Sequence, residues 1–167
     1  VINSFISGLW VTVFISFWAS LLAIIVGFGI TFLHITQWTL LKKLATAYVE
    51  IFRNTPLLIQ IYLYYRGLQS LGIFLPAEAC GILGLGLYTG AYMAEIFRSG
   101  LLSIPQEQLQ SGLSLGLSRF RVYTMIIMPQ ALKTILPIMG NQLVNLMKNS
   151  SLVAFITVKD LFYVIYK

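Results

Sequence analysis

The stretch FISGLWVTVFISFWASLLAIIVGFGITFL, residues 5–33, decides the fold. It contains no Asp, Glu, Lys or Arg, and it exceeds the roughly 20 apolar residues that a helix needs to cross a bilayer. A secretory signal peptide fits less well, because its apolar core would end after about 7–15 residues at a cleavage site. The stretch is predicted to be a transmembrane helix.

The composition of the whole chain supports this prediction. With 58% hydrophobic and only 10% charged residues among 167, the chain has too little polar surface for a soluble domain. The net charge of +6 would suggest a nucleic-acid partner in a soluble protein. Here the basic residues border apolar runs, where they orient a membrane protein, so the expected partner is the lipid bilayer and not nucleic acid.

Three further runs are predicted to cross the membrane, at about residues 45–65, 79–100 and 131–151. Gly86 and Gly90 lie one helical turn apart in the third run, which favours close packing of another helix. The chain is therefore expected to be an all-α membrane protein, a multi-span bundle with one domain over residues 1–167.

The basic residues also predict the orientation of the bundle. Lys42 and Lys43 follow the first span, and the connection between the second and third spans offers only Arg66. By the positive-inside bias, the first and third connections are cytosolic and the N-terminus is outside. The third connection, the polar segment 104–129, bears several more basic residues at its borders: Arg98, Arg119, Arg121 and Lys133.

Polar residues within the fourth span share one helical face. Asn141, Asn145 and Asn149 follow at intervals of four, with Lys148 and Ser151 close by. Amides and an ammonium in a bilayer need partners, so the face meets another helix, water or a solute. Hydrogen bonding between helices and contact with a solute both stay open, as does the question of whether Lys148 attracts a carboxylate or a structural partner.

The second and third spans carry comparable polar faces. Glu50 and Arg53 should lie near the cytosolic end or face protein, because charge at a bilayer centre is costly. Glu95 is expected to pair with Arg98 at i, i+3. Polar stripes on several helices are what a solute path through a bundle requires. The residues predicted to line this path are Asn54, Gln60, Tyr92, Asn141, Asn145, Lys148, Asn149 and Ser151.

The cytosolic segment 104–129 is predicted to contain a short amphipathic helix. Pro105 suits a helix start, and Glu107 is favourable against the helix dipole. Leu109 and Leu113 recur at helical spacing, and small residues lie elsewhere around the helix. Such a helix either docks into a groove of another protein or lies at the membrane interface, and the residues alone do not decide between the two.

Enzyme chemistry is not expected. GLSLG at residues 112–116 matches G-x-S-x-G, but that motif needs a strand-to-helix turn and a histidine base for Ser114. The only histidine, His34, lies at the end of the first span. Together with the single Cys80 and scattered carboxylates, it supplies no credible metal site. No catalytic and no metal-binding residues are predicted.

The segment following Leu109 resembles the EAA loop of ABC transporter permeases, written E-A-A-x3-G-x9-I-x-L-P. The matching positions are Gln110, Ser111, Gly112, Gly116, Ile126, Met128 and Pro129, with identity at Gly116, Ile126 and Pro129. FRNTPLLIQIYLYYRGL at 52–68, TGAYMAEIFRSGLLSIPQEQ at 89–108 and MPQALKTILPIMGNQLVNLMKNSSL at 128–152 resemble successive signatures of the polar amino acid uptake permeases of the histidine/glutamine type.

This resemblance implies the type I importer fold (MetI-like), usually with five helices per subunit, in the bacterial cytoplasmic (inner) membrane. The implied partners are a second permease subunit in a homodimer or heterodimer, two ABC ATPase subunits, and an extracytoplasmic solute-binding protein. The substrate would be a polar or charged amino acid such as glutamine, arginine or histidine. ATP and Mg would be bound by the ATPase, and this subunit would bind no cofactor. The family would lead into a fifth helix at DLFYVIYK, so the chain is expected to be C-terminally truncated.

In this family the EAA loop forms the coupling helix that binds the ATPase. The coupling residues predicted from it are Gln106, Glu107, Gln110, Ser111, Gly112, Gly116, Ser118 and Arg119. Gln110-Ser111-Gly112 replaces the usual Glu-Ala-Ala, which removes a charge and places a glycine in a helix, a loss of about 1 kcal/mol relative to alanine. Coupling is therefore weaker, or the ATPase compensates.

Two alternative functions belong to other classes of membrane protein. An ATP-independent channel or secondary carrier would leave the cytosolic helix without a purpose. A membrane-embedded serine hydrolase using Ser114 would need a histidine nearby.

Overall fold

The computed structural model describes residues 2–166, and helices dominate this part of the chain. The first half contains α1 (Ile2–Ile35), α2 (Thr39–Asn54), α3 (Leu57–Tyr62), a π-helical turn (Leu63–Gly67), α4 (Leu68–Ser70) and α5 (Ala77–Leu102). The second half contains α6 (Gln106–Ser114), α7 (Arg119–Val122), a π-helical turn (Tyr123–Ile127), α8 (Met128–Asn149), a 3-10 helix (Ser150–Ile156) and α9 (Leu161–Tyr166).

Three helical stretches in residues 2–166 are long and apolar enough to cross a membrane: Ile2–Ile35, Ala77–Leu102 and Arg119–Ile156. The first two contain the predicted spans 5–33 and 79–100. The third begins at Arg119, well before the predicted span 131–151. The sequence VYTMIIM that follows Arg121 is almost entirely apolar, so the end of the predicted cytosolic segment joins the membrane helix.

The predicted span 45–65 is not one helix, and this prediction is corrected. It is divided between α2 and α3 at Thr55, whose backbone is extended (φ −102°, ψ 130°). Pro56 has no N–H and disfavours the helical conformation of the residue before it. The two helices nevertheless run along α5 in the opposite direction: the Tyr48 hydroxyl donates to the Leu87 carbonyl (2.6 Å), and further on Ile61 packs against Gly84.

The helices α1 and α5 run parallel and very close together. A Cβ on Gly27 would lie 2.4 Å from Cβ of Met93, so this approach requires a glycine. Gly90 meets Val26 in the same way, and the Thr31 hydroxyl donates to the Ala94 carbonyl (3.0 Å). The prediction that glycines of the third span allow close packing is confirmed.

The helix α8 runs antiparallel to α5. Gly100 of α5 packs against Ile135, and Gly81 near the other end of α5 packs against Val153. The chain then turns back to α1, where the Leu161 N–H donates to the Thr12 hydroxyl (3.0 Å). The bundle thus has α1 and α5 in one direction, and α2–α3 and α8 in the other. The end that bears α6 is the basic end, which the positive-inside bias places in the cytosol.

Candidate functional site

A polar cavity lies beside α5 at the end of α2, next to the break between α2 and α3. The cavity has a volume of about 380 Å³ and is lined by Val49, Glu50, Arg53, Asn54 and Tyr92. Two of the residues predicted to line a solute path, Asn54 and Tyr92, therefore lie together. Glu50 and Arg53 belong to the same site, although they were expected only to face protein or lie near the cytosolic end.

The cation in this cavity is held by an aromatic ring and not by an acid. The guanidinium carbon of Arg53 lies 5.1 Å from the centroid of the Tyr92 ring. The Tyr92 hydroxyl lies 3.1 Å from that of Tyr88. Within residues 2–166, Arg53 and Glu50 take part in no ion pair, whereas Glu95 is paired with Arg98 at 2.6 Å, as the sequence predicts. The charge of Arg53 is thus available to a ligand.

One cavity with an unpaired guanidinium and an unpaired carboxylate suits a zwitterion. A guanidinium can bind a carboxylate through two parallel hydrogen bonds. Glu50 can accept hydrogen bonds from an ammonium group, and the Asn54 amide can both donate and accept. A cation-π contact leaves the guanidinium N–H groups free for such a ligand.

The polar face of α5 lies between its contacts with α3 and with α8. At 3.6 residues per turn, Tyr88 is about 40° from Gly84, which packs on α3 through Ile61, and Tyr92 is about 80° from Gly100, which packs on α8. The tyrosine face is therefore flanked by the two helices that carry the other predicted path residues.

The stripe Asn141, Asn145 and Lys148 is exposed on α8. Leu143 forms part of a groove against α1, and Asn141 lies about 160° away from it around the helix, so the stripe faces away from α1. The α5–α8 packing places Asn145 at about the level of Gly90, the depth of the cavity. In a single chain the stripe does not line the cavity, and its side chains make no hydrogen bond to other residues of the described range.

The remaining predicted path residues have local roles. The Ser151 hydroxyl donates to the Lys148 carbonyl (3.0 Å), and Asn149 is half-buried beside it. Gln60 is buried and does not line the cavity. Its side-chain amide donates to the carbonyls of Phe52 and Thr55, both at 2.9 Å, and therefore serves the backbone at the helix break.

The helix α6 ends in a Schellman motif. The Leu117 N–H donates to the Gly112 carbonyl (3.2 Å) and the Gly116 N–H to the Leu113 carbonyl (3.0 Å). Gly116 has φ +80°, the left-handed conformation that this motif places at its glycine. This motif explains why a glycine occupies position 116. The Ser118 hydroxyl then accepts from the Arg121 N–H (3.4 Å) and caps α7.

The helix α6 is tied to the start of α8 by two glutamines. Gln108 and Gln130 exchange hydrogen bonds of 3.1 and 2.5 Å, and the Gln130 amide also donates to the Ile126 carbonyl (2.8 Å). These hydrogen bonds connect α6 directly to the membrane helix that carries the asparagine stripe.

Most of the predicted coupling residues form one exposed surface at this end. The exposed members are Gln106, Glu107, Gln110, Ser111, Gly116, Ser118 and Arg119. Gly112 is the exception, because it is buried and a Cβ there would lie 2.7 Å from Cγ2 of Val122. Its role is to let α6 and α7 approach, which gives the third residue of Gln110-Ser111-Gly112 a packing reason.

Ser114 is not at a nucleophile elbow. It is the last residue of α6, and its hydroxyl donates to the Gln110 carbonyl (3.0 Å). His34, the only histidine, belongs to α1. The geometry that Ser114 would need for catalysis, a strand-to-helix turn, does not occur there.

The geometry defines a class of protein: a polytopic membrane protein with a polar cavity among its helices and an exposed helix at its basic end. The chain matches the family described as binding-protein-dependent transport system inner membrane component over residues 19–166. It belongs to this family. The chain is thus a transport permease, as the EAA-loop resemblance predicts, and not a catalytic subunit.

Similar proteins support the same assignment. The probable glutamine ABC transporter permease protein GlnM of Bacillus subtilis (strain 168) is 35% identical, with 96% of this chain and 74% of that protein covered. The octopine transport system permease protein OccM of Rhizobium radiobacter is 32% identical, with 93% of this chain and 67% of that protein covered.

Solved structures show the same fold. The crystal structure of an amino acid ABC transporter with histidines matches with a TM-score of 0.91 at 35% identity, covering 96% of this chain and 75% of that one. A methionine ABC transporter, MetNI, in an inward-facing conformation matches with a TM-score of 0.80 at 18% identity, covering 99% and 80%. The predicted MetI-like importer fold is confirmed.

Proposed function

We propose that this chain imports an amino acid. The α-carboxylate and α-ammonium groups of the amino acid would bind in the cavity at the end of α2. The observation that carries the proposal is the combination of Arg53 and Glu50, both without an ion-pair partner in the described range, in one cavity with Asn54 and Tyr92. The relatives named for glutamine and octopine transport support an amino-acid-like solute. A polar or charged amino acid such as glutamine, arginine or histidine fits these groups.

The exposed surface of α6 supports a cytosolic partner. Exposed apolar side chains flank the Schellman turn: Leu115 is 82% and Phe120 is 75% exposed, beside the polar coupling residues. We infer that two ABC ATPase subunits bind here in the complete transporter, one on each permease subunit. ATP and Mg belong to those subunits, and this chain binds no cofactor of its own.

The asparagine stripe on α8 supports a second permease subunit. Asn141 and Asn145 lie at the depth of the cavity but face away from α1, with no hydrogen-bond partner in the described part of the chain. A second copy or a related subunit would enclose this stripe and complete the path. An extracytoplasmic binding protein would deliver the solute at the opposite end, and the complex would lie in the bacterial inner membrane.

Uptake by proteoliposomes tests this proposal. The permease is reconstituted with its ATPase and its solute-binding protein, and uptake of radiolabelled glutamine, arginine and histidine is measured with and without ATP. We expect uptake of one of these amino acids only when ATP and the binding protein are both present. Equal uptake without ATP would contradict the proposal and favour a channel or secondary carrier.

A further inference from the structure

The break between α2 and α3 leaves several backbone carbonyls without their usual partners, and those of Phe52 and Thr55 are two of them. In a continuous helix the Phe52 carbonyl would accept from the N–H of residue 56, but Pro56 has none. The Thr55 carbonyl would accept from Ile59, whose N–H instead bonds the Pro56 carbonyl (3.0 Å). Carbonyls without a donor are unfavourable in a membrane protein, where water is scarce.

The side chain of Gln60 donates a hydrogen bond to each of these two carbonyls. The amide nitrogen of Gln60 lies 2.9 Å from the Phe52 oxygen and 2.9 Å from the Thr55 oxygen. Both neighbours are acceptors, so the amide must present its NH2 group to them and not its oxygen. Gln60 is 6% exposed, and its own oxygen has no hydrogen-bond partner in residues 2–166.

These two carbonyls bracket the residues that line the cavity. Arg53 and Asn54 are the only residues between Phe52 and Thr55, so fixing the carbonyls on both sides fixes the backbone from which both side chains extend. We propose that Gln60 is a positioning residue that holds Arg53 and Asn54 toward the solute. This inference rests on the proposed function of the cavity, but it assigns Gln60 no contact with the solute.

Two variants of Gln60 separate hydrogen bonding from packing. Gln60→Met keeps the unbranched shape and removes both donors. We expect it to raise the KM for amino acid uptake about fivefold or more, with a smaller change in kcat, because the loss of positioning weakens solute binding. The matched control is Thr31→Val, which removes a buried hydroxyl that bonds backbone carbonyls away from the cavity. Its KM should equal that of the wild type.

Gln60→Glu adds a pH dependence that a packing role would not produce. An ionised carboxylate has no hydrogen to donate and would face two carbonyl oxygens, whereas the protonated acid can donate one hydrogen bond. Lowering the pH favours the protonated acid and thereby restores one of the two hydrogen bonds. We expect its uptake relative to the wild type to rise between about pH 8 and about pH 6. A flat ratio would contradict the hydrogen-bond basis of the proposal.

A labelling experiment makes the test independent of transport. In a chain with Cys80→Ser and Asn54→Cys, the rate of maleimide labelling reports how residue 54 is presented to the cavity. Gln60→Met should change this rate, and Thr31→Val should not. All variants are measured in the assembled transporter.

The outcomes distinguish this inference from the proposed function. If Gln60→Met leaves both the KM and the labelling rate unchanged, the positioning role is wrong even where Arg53→Gln impairs uptake. If Arg53→Gln leaves uptake unchanged, the cavity is not the solute site, and the labelling rate alone decides: a changed rate supports positioning by Gln60, and an unchanged rate overturns it.

Discussion

At the scale of single residues, Arg53 makes the sharpest prediction. Its guanidinium lies over the Tyr92 ring with no acid paired to it in the described range, so a solute carboxylate is its natural partner. We expect Arg53→Gln to raise the KM for uptake at least about tenfold, since a hydrogen-bonded charge pair is lost.

Arg66 offers a matched control for this substitution. It also lies over a tyrosine ring, that of Tyr65 (5.8 Å), but outside the cavity and toward the other end of the bundle. Arg66→Gln should leave the KM of uptake within about twofold of the wild-type value, because exposed cation-π contacts are weak. An equal loss in both variants would indicate a general effect of charge and contradict the site.

Gly112 makes a prediction about packing beneath the coupling surface. A methyl group there would meet Cγ2 of Val122 at 2.7 Å, and a valine side chain cannot move aside without a backbone shift. Gly112→Ala should therefore reduce the rate of ATP-driven uptake, although alanine is the better helix former. Adding Val122→Ala should restore most of it, and failure of this rescue would contradict the packing account. Gly29→Ala is the control, because a Cβ at this helical glycine of α1 would meet no atom within 4 Å, and it should change uptake little.

At the scale of helices, the sequence predicts those features that depend on local pattern. The uninterrupted apolar run 5–33 and the helix start at Pro105 are readable without any tertiary contact, and both occur. Pro56 also indicates a helix boundary, but the residues on both sides of it belong to one run that predicts a single span. The apolar run that joins α7 to α8 was likewise assigned in part to the cytosol.

Other features depend on contacts between segments that are distant in the sequence. Gln60 shares a polar face with Tyr64 in a helical projection, and only the contacts with the two carbonyls at the break show that it serves the backbone. From the sequence alone, Gly112 is only an unfavourable residue within a helix. Its close contact with Val122 in the folded chain gives the reason for a glycine there. The pairing of Arg53 with Tyr92 across two helices is invisible in sequence spacing.

At the scale of the whole molecule, the packing directions predict a topology that labelling can check. The basic end of the bundle contains the C-terminal ends of α1 and α5 together with α6. Ser70 of α4 lies at the opposite end. In a Cys80→Ser chain, a membrane-impermeant maleimide added from outside should label Ser70→Cys but not Ser111→Cys. Both positions are exposed, so reversed labelling would contradict the orientation.

We propose that ATP-driven motion enters the permease through the turn after α6, and two glycines allow a test of this coupling. Gly116 and Gly72 have φ +80° and +81°, both close Schellman motifs, and a Cβ at either would meet no atom within 4 Å. Replacing either glycine by valine should therefore destabilise its turn by about the same free energy, roughly 1–2 kcal/mol. Only Gly116 lies at the cytosolic end.

The deciding measurement is ATP-driven amino acid uptake by reconstituted transporters that carry Gly116→Val or Gly72→Val, at equal amounts of assembled permease. We expect Gly116→Val to lower the rate at least about tenfold and Gly72→Val to lower it less than about twofold, because equal backbone strain disturbs the coupling surface in only one of them. Equal rates in the two variants, whether both retained or both lost, would contradict the account.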